Sequence, residues 1–284
     1  MDESLAITYR FRRLTTPDNR SSGYNNPLDC PLGIETMMSH QESSSAQRPE
    51  KRVCIIQSCY IPWKGFFDLI GRCREYVIFD EVQYAKRHWH NRNIIKTPAG
   101  PLWLTIPVVT KSRFDQPIDE VEIAAPWAEK HWRSILSNYR KAPYFGVWAP
   151  LVEQLYQRAD GLRLLTDVNE LFLRELARAF SLSTVITRDR AYQAEGIKTD
   201  RLLNICIKAG ATTYLSGPSA RTYLEEKKFC DAGIGVEWMS YGPYAEYPQS
   251  HGPFDHAVSV LDLMFNTGPC AVSLAAPISS DVAG

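Results

Sequence analysis

Apolar residues gather in short blocks through the middle of the chain, and the blocks follow two different periods. "RVCIIQ" (52–57) is a β-branched run bounded by polar residues, which predicts a buried strand. "PWKGFFDLIGRC" follows, with Trp63, Phe66, Phe67 and Ile70 at helical spacing and Pro62 suited to a first helical position. A second apolar run, "EYVIFDEV" (75–82), comes next. Strand, helix and strand in such a short span have the proportions of a βαβ unit with parallel strands and a right-handed crossover.

"PLWLTIPV" (101–108) predicts another strand after the turn at Pro98, Gly100 and Pro101, and "VEIA" (121–124) a short one. A helical block runs from Pro126 to about Phe180, in pieces broken near "KAPYF" and "RADG". In its last piece Thr166 is a candidate cap, Asp167 suits the positive helix end, and Leu165, Val168, Phe172, Leu176 and Phe180 form one stripe. Strand "STVITR", helix "KTDRLLNICIKAG" ended by Gly210, strand "TTYLSG", helix "ARTYLEEKKFCDAG" and strand "GVEWMSY" continue the alternation. Together they predict an α/β fold: a mostly parallel sheet built from βαβ units, with a helical insertion at about 126–180.

The ends read differently. Residues 1–50 are rich in Ser, Asn, Pro and charge with no sustained apolar period, the pattern of a disordered leader, with Met37 or Met38 as alternative starts. Residues 51–269 are expected to form the α/β domain and 270–284 a flexible tail.

Composition narrows the partners. Lys plus Arg equals Asp plus Glu at 32 each, so any cationic site is local; without a basic stripe, nucleic-acid binding is not expected. The seven cysteines are scattered, with no CxxC, which fits a reducing compartment, and the cytoplasm is expected. No apolar run reaches the roughly 18 residues of a membrane span.

Candidate chemistry concentrates in "DEVQYAKRHWHNRNIIKTPAG" (80–100), immediately behind an apolar strand. Lys86, Arg92 and Lys96 suit a phosphate or carboxylate, and Asp80 or Glu81 can accept a proton from an amine or hydroxyl. "YLSGPSARTYL" places Ser216, Gly217 and Ser219 between a strand and a helix, where backbone N–H groups can cradle an anion. "YAEYPQSHGPF" adds Gln249 and His251. His88 and His90 lack the further ligands of a familiar metal site, and Cys59 is a candidate thiol nucleophile. In a parallel sheet, ligands sit beyond the strand carboxyl ends, so Gln57 and Asp80 should point into one cleft.

Read in order, "IIQSCYIPWKGFFDLI", "IFDEVQYAKRHWHNRNIIKTPAGPLWLTIPV", "YLSGPSARTYL" and "YPQSHGPFDHAVSVLDLMFNTGP" resemble the WbqC-like protein family. Ser58 departs from an expected proline, His90 from an expected glutamine, and Cys59 occupies a variable position. The resemblance implies bacterial surface-glycan or specialised-metabolite biosynthesis, notably where amino sugars carry acyl groups. The function expected is amide formation, by transfer of an aminoacyl or acyl group to an amino sugar or similar amine. Asp80, His90 or His251 would act as base; Gln57, Gln83, Asn91 and Asn93 would read hydroxyls and amides; Tyr60, Trp63 and Trp89 would wall the site. The alternative is a non-catalytic binding or scaffold protein for a nucleotide sugar or carrier-bound intermediate. A small anionic, hydroxylated or amine-bearing substrate is the expected partner, with a carrier protein or aminoacyl donor behind it. The sequence names no cofactor.

Overall fold

The structure is a computed structural model that describes residues 49–275. Nearly all of the expected leader and the end of the expected tail lie outside these residues. The strands in chain order are β1 (Arg52–Ile56), β2 (Glu75–Ile78), β3 (Arg92–Thr97), β4 (Gly100–Thr105), β5 (Val185–Arg188), β6 (Thr213–Ser216) and β7 (Gly235–Trp238). The helices are α1 (Lys64–Gly71), α2 (Ala128–Tyr139), α3 (Phe145–Ala159), α4 (Leu165–Ala179), α5 (Lys198–Lys208), α6 (Glu226–Asp231), α7 (Val260–Thr267) and α8 (Ala271–Ala275).

Five strands pair in parallel in the order β5-β2-β1-β6-β7, while β3 and β4 form a separate antiparallel hairpin. This is the expected α/β fold, and α2, α3 and α4 are the helical insertion. Because side chains alternate along a strand, β1 and β2 feed two cores. Cys54, Ile56, Tyr76 and Ile78 join one with α1, α3, α4 and α7, and Val53, Ile55, Val77 and Phe79 join the other with α5 and α6. Burial on both faces explains why these strands read as unbroken apolar runs.

Several local expectations change. Pro62 precedes the helix, and the extended Trp63 is its boundary residue. Thr166 lies inside α4, where its hydroxyl donates to Asp80 Oδ2 at 2.6 Å. "VEIA" forms isolated bridges, Val108 with Ile123 and Glu122 with Leu164. "RNIIKT" is strand β3, hidden in the sequence by its charged and amide side chains. Every residue of α7 is buried, so it has no polar face to give an amphipathic signal. The described part of the expected tail includes α8, which packs against α1 and α7.

Candidate functional site

From β1 the chain moves to β2 and on to β5 on one side, whereas β6 and β7 lie on the other. The order therefore reverses between β1 and β6, and the crevice outside their carboxyl ends is the usual ligand position in such sheets. Gln57 leaves β1 here, 8% exposed, and its amide bonds no described residue. Ser216, Gly217 and Ser219 leave β6 at the same edge. Pro218 has no N–H and the Ala220 N–H is used on the Gly217 carbonyl at 3.2 Å, so this 3-10 turn offers fewer donors than the expected helix end. The Ser216 hydroxyl turns onto the Gly217 carbonyl at 3.4 Å, and the Ser219 carbonyl accepts from Thr222 at 3.2 Å.

An aromatic wall stands beside this edge. The ring centroid of Trp63 lies 5.4 Å from that of Tyr241 and 5.8 Å from that of Tyr244. Beneath it runs an apolar slot of about 30 Å³ between Cys59, Pro62, Trp63, Phe66, Trp89 and Ala257, with Asn93 alongside. The β1–α1 loop is fixed to the hairpin by backbone and amide bonds: Tyr60 N donates to Trp89 O at 3.0 Å, and Asn93 Nδ2 donates to Tyr60 O at 3.0 Å and Ile61 O at 2.9 Å. Asn91 Nδ2 likewise donates to Ile106 O at 2.8 Å. Both asparagines are buried. Burial, with Asp80 nearby, pushes the Cys59 thiol far up, so it holds its proton and is no thiolate nucleophile.

The proton acceptors expected from the sequence are engaged by the fold. Asp80 is 2% exposed, and its carboxylate accepts from Ser58 N at 2.8 Å, Ser58 Oγ at 2.7 Å and Thr166 Oγ1 at 2.6 Å. Desolvation still raises its pKa against those donors. His90 is buried, with Nδ1 donating to Ser58 O at 3.0 Å, and desolvation pushes it down to about 4. Asn169 Nδ2 closes the cluster on Ser58 Oγ and His90 O, both at 2.9 Å. His251 Nε2 contacts Asn138 O at 2.9 Å, away from these groups. Tyr60, fully buried, points its hydroxyl at Tyr156 Oη (2.6 Å) and His131 Nδ1 (2.9 Å) and thus belongs to the core behind the site.

The cations divide. The Lys96 ammonium is buried and donates to the half-buried Gln249 at Oε1, 2.7 Å away, and to the Pro253 carbonyl, so neither group is free for a ligand. Arg92 lies 4.2 Å over the Trp103 ring and donates to the Arg87 carbonyl; Trp103 in turn is 5.3 Å from Trp89. Lys86 sits 5.2 Å over Phe114, whose carbonyl accepts from Gln83 Nε2 at 3.0 Å. Among the described residues neither Lys86 nor Arg92 has a carboxylate partner, unlike Arg188 or Arg201.

The comparisons with known proteins bear on nearly all of the described residues. The model of the WbqC-like protein family matches residues 57–274. The chain belongs to that family. It is 43% identical over 219 residues, 77% of this chain and 94% of the relative, to the "Uncharacterized protein Rv1507c" of Mycobacterium tuberculosis. No solved structure matches.

The site of this WbqC-like chain also includes Tyr241, and has a histidine close by in the chain, neither of which the sequence pattern singled out. Tyr241 faces Trp63, but it lies in an irregular segment without a period. His256 precedes the slot residue Ala257, and its buried Nδ1 has no hydrogen-bond partner among the described residues; desolvation and Lys64 lower its pKa. A histidine flanked by Asp255 and Ala257 gave no motif to find it by.

Proposed function

We propose that the chain is an amide-forming enzyme of surface-glycan or specialised-metabolite biosynthesis, one that transfers an aminoacyl or acyl group to the amine of an amino sugar or similar small molecule. The observation that carries this reading is the Gln57 amide, without a hydrogen-bond partner among the described residues, at the carboxyl end of the central strand, beside the Gly217 turn and the Trp63–Tyr241 wall. An amide at the surface of the crevice that no side chain engages is free to exchange its water for a ligand. Amide formation needs a neutral amine and a stabilised oxyanion. His256, next in sequence to the slot residue Ala257, is the base we assign, and Gln57 Nε2 is the oxyanion donor. Asp80 and His90 act as positioning groups, because both hold Ser58 and so aim Gln57. Lys86 and Arg92 remain open to an anionic part of the substrate.

The test is mass-spectrometric screening of the purified chain with aminoacyl or acyl donors and amino-sugar nucleotides. An amide product is expected, formed about 100-fold more slowly by Gln57→Ala, the usual loss on removing one oxyanion donor. Thermal stabilisation by an amino-sugar nucleotide with no product from any donor would instead support the binding or scaffold role.

A further inference from the structure

We propose that the slot beside Trp63 is a subsite for one short aliphatic group of the substrate, and that Gly65 sets its depth. This deepens the reading above by naming a substrate feature. A volume of about 30 Å³ has room for one or two waters or a group of methyl to ethyl size. A water there would find almost nothing to bond. Trp63, Phe66 and Trp89 present ring or apolar surface. The Cys59 thiol is a weak hydrogen-bonding group at best. The Asn93 amide is already spent, with Nδ2 on Tyr60 O and Ile61 O and Oδ1 accepting from Ile94 N at 2.7 Å. Such a surface selects carbon over hydroxyl or charge, by about four-fold for each methylene buried.

The wall is also held at a set distance. A Cβ on Gly65 would lie 2.3 Å from the Trp63 ring, far inside ordinary contact, so glycine is what lets the indole fold back over the first turn of α1. Tyr241 and Tyr244 back the same ring at 5.4 and 5.8 Å. Trp89 is anchored through its carbonyl to Tyr60 N. Since Trp63 also faces the tyrosine that neighbours Gly217, the slot adjoins the crevice at the strand ends. A substrate whose polar part lies against Gln57 and Gly217 would place a small aliphatic substituent in it.

The probes are ethanol, n-propanol and benzyl alcohol at millimolar concentration, read by NMR on the assigned indole N–H signals of Trp63 and Trp89 in the full chain. Ethanol and propanol are expected to shift both signals and benzyl alcohol neither. Ala257→Leu, which fills the slot, should cut the propanol response at least five-fold, and Gly65→Ala, which displaces the indole, should admit benzyl alcohol. Indole signals that ignore all three alcohols, or that respond equally in Ala257→Leu, would overturn the subsite. If Gly65→Ala does not fold, the size series and Ala257→Leu still decide. The readout is independent of turnover. A responsive slot in a chain that forms no amide sinks the enzymatic reading alone, and an active enzyme with a silent slot sinks the subsite alone.

Discussion

His90 and His131 are imidazoles kept neutral by burial, each pushed down to about 4. In the unfolded chain each titrates near 6.5. A base with a depressed folded pKa contributes stability that is present above the unfolded value and is lost as pH falls toward the folded one. Between pH 7 and 4 each should cost about 3 kcal/mol. His90→Gln keeps an N–H donor for Ser58 O and removes one titration. The difference in urea-unfolding free energy between wild type and this variant should therefore change by about 3 kcal/mol across that range; a flat difference would show that His90 is hydrated in the native state. Asp80→Asn tests the neighbouring cluster. An amide cannot accept from Ser58 N, Ser58 Oγ and Thr166 Oγ1 together, so a loss of about 2 kcal/mol in urea unfolding is expected. The sequence displays these residue types, but their roles come from partners such as Asn169 and Thr166, far along the chain and inside a helix that reads as plain core.

At the scale of elements, legibility followed polarity. Helices with one wet face, such as α4 and α5, declare themselves through a 3.6-residue period; α7 has no wet face, and β3 carries Arg92, Asn93 and Lys96 on a strand. Both missed elements matter to the site. β3 supplies the Asn93 clamp, and at the start of α7 Val260 N donates to the carbonyl of the slot residue Pro62 at 2.9 Å. The end of α7 is set by Gly268, at φ 60°, where a Cβ would lie 2.3 Å from the Tyr144 ring. Gly268→Ala should therefore destabilise by about 3 kcal/mol, through backbone strain and overpacking together. In a thermal melt this is a drop of roughly 6 to 12 °C; an unchanged midpoint would mean that Tyr144 moves aside freely.

Across the whole molecule, two buried lysines tie the irregular segment 239–259 to the α/β body. Lys96 reaches Gln249 and Pro253 from β3, and Lys64 reaches Ala245 O at 3.1 Å from α1, its ammonium 5.1 to 5.6 Å from the rings of Tyr244, Tyr247 and Phe254. Lys96→Met should free one end, so amide hydrogen exchange in 245–258 should quicken while β1 and β2 keep their protection; equal exchange throughout would show that the segment stays docked without Lys96. The sequence alone determined the alternation of strands and helices, the helical insertion and the concentration of polar chemistry behind the second strand. These are local properties, written in periodicity and residue type. Only the tertiary structure decided which of those polar groups build the walls and which stay open, because desolvation and hydrogen-bond satisfaction depend on atoms brought from remote parts of the chain. Gln57 and Asp80 follow neighbouring strands with similar polarity, yet packing surrounds Asp80 with donors and leaves the Gln57 side chain without a hydrogen-bond partner among the described residues.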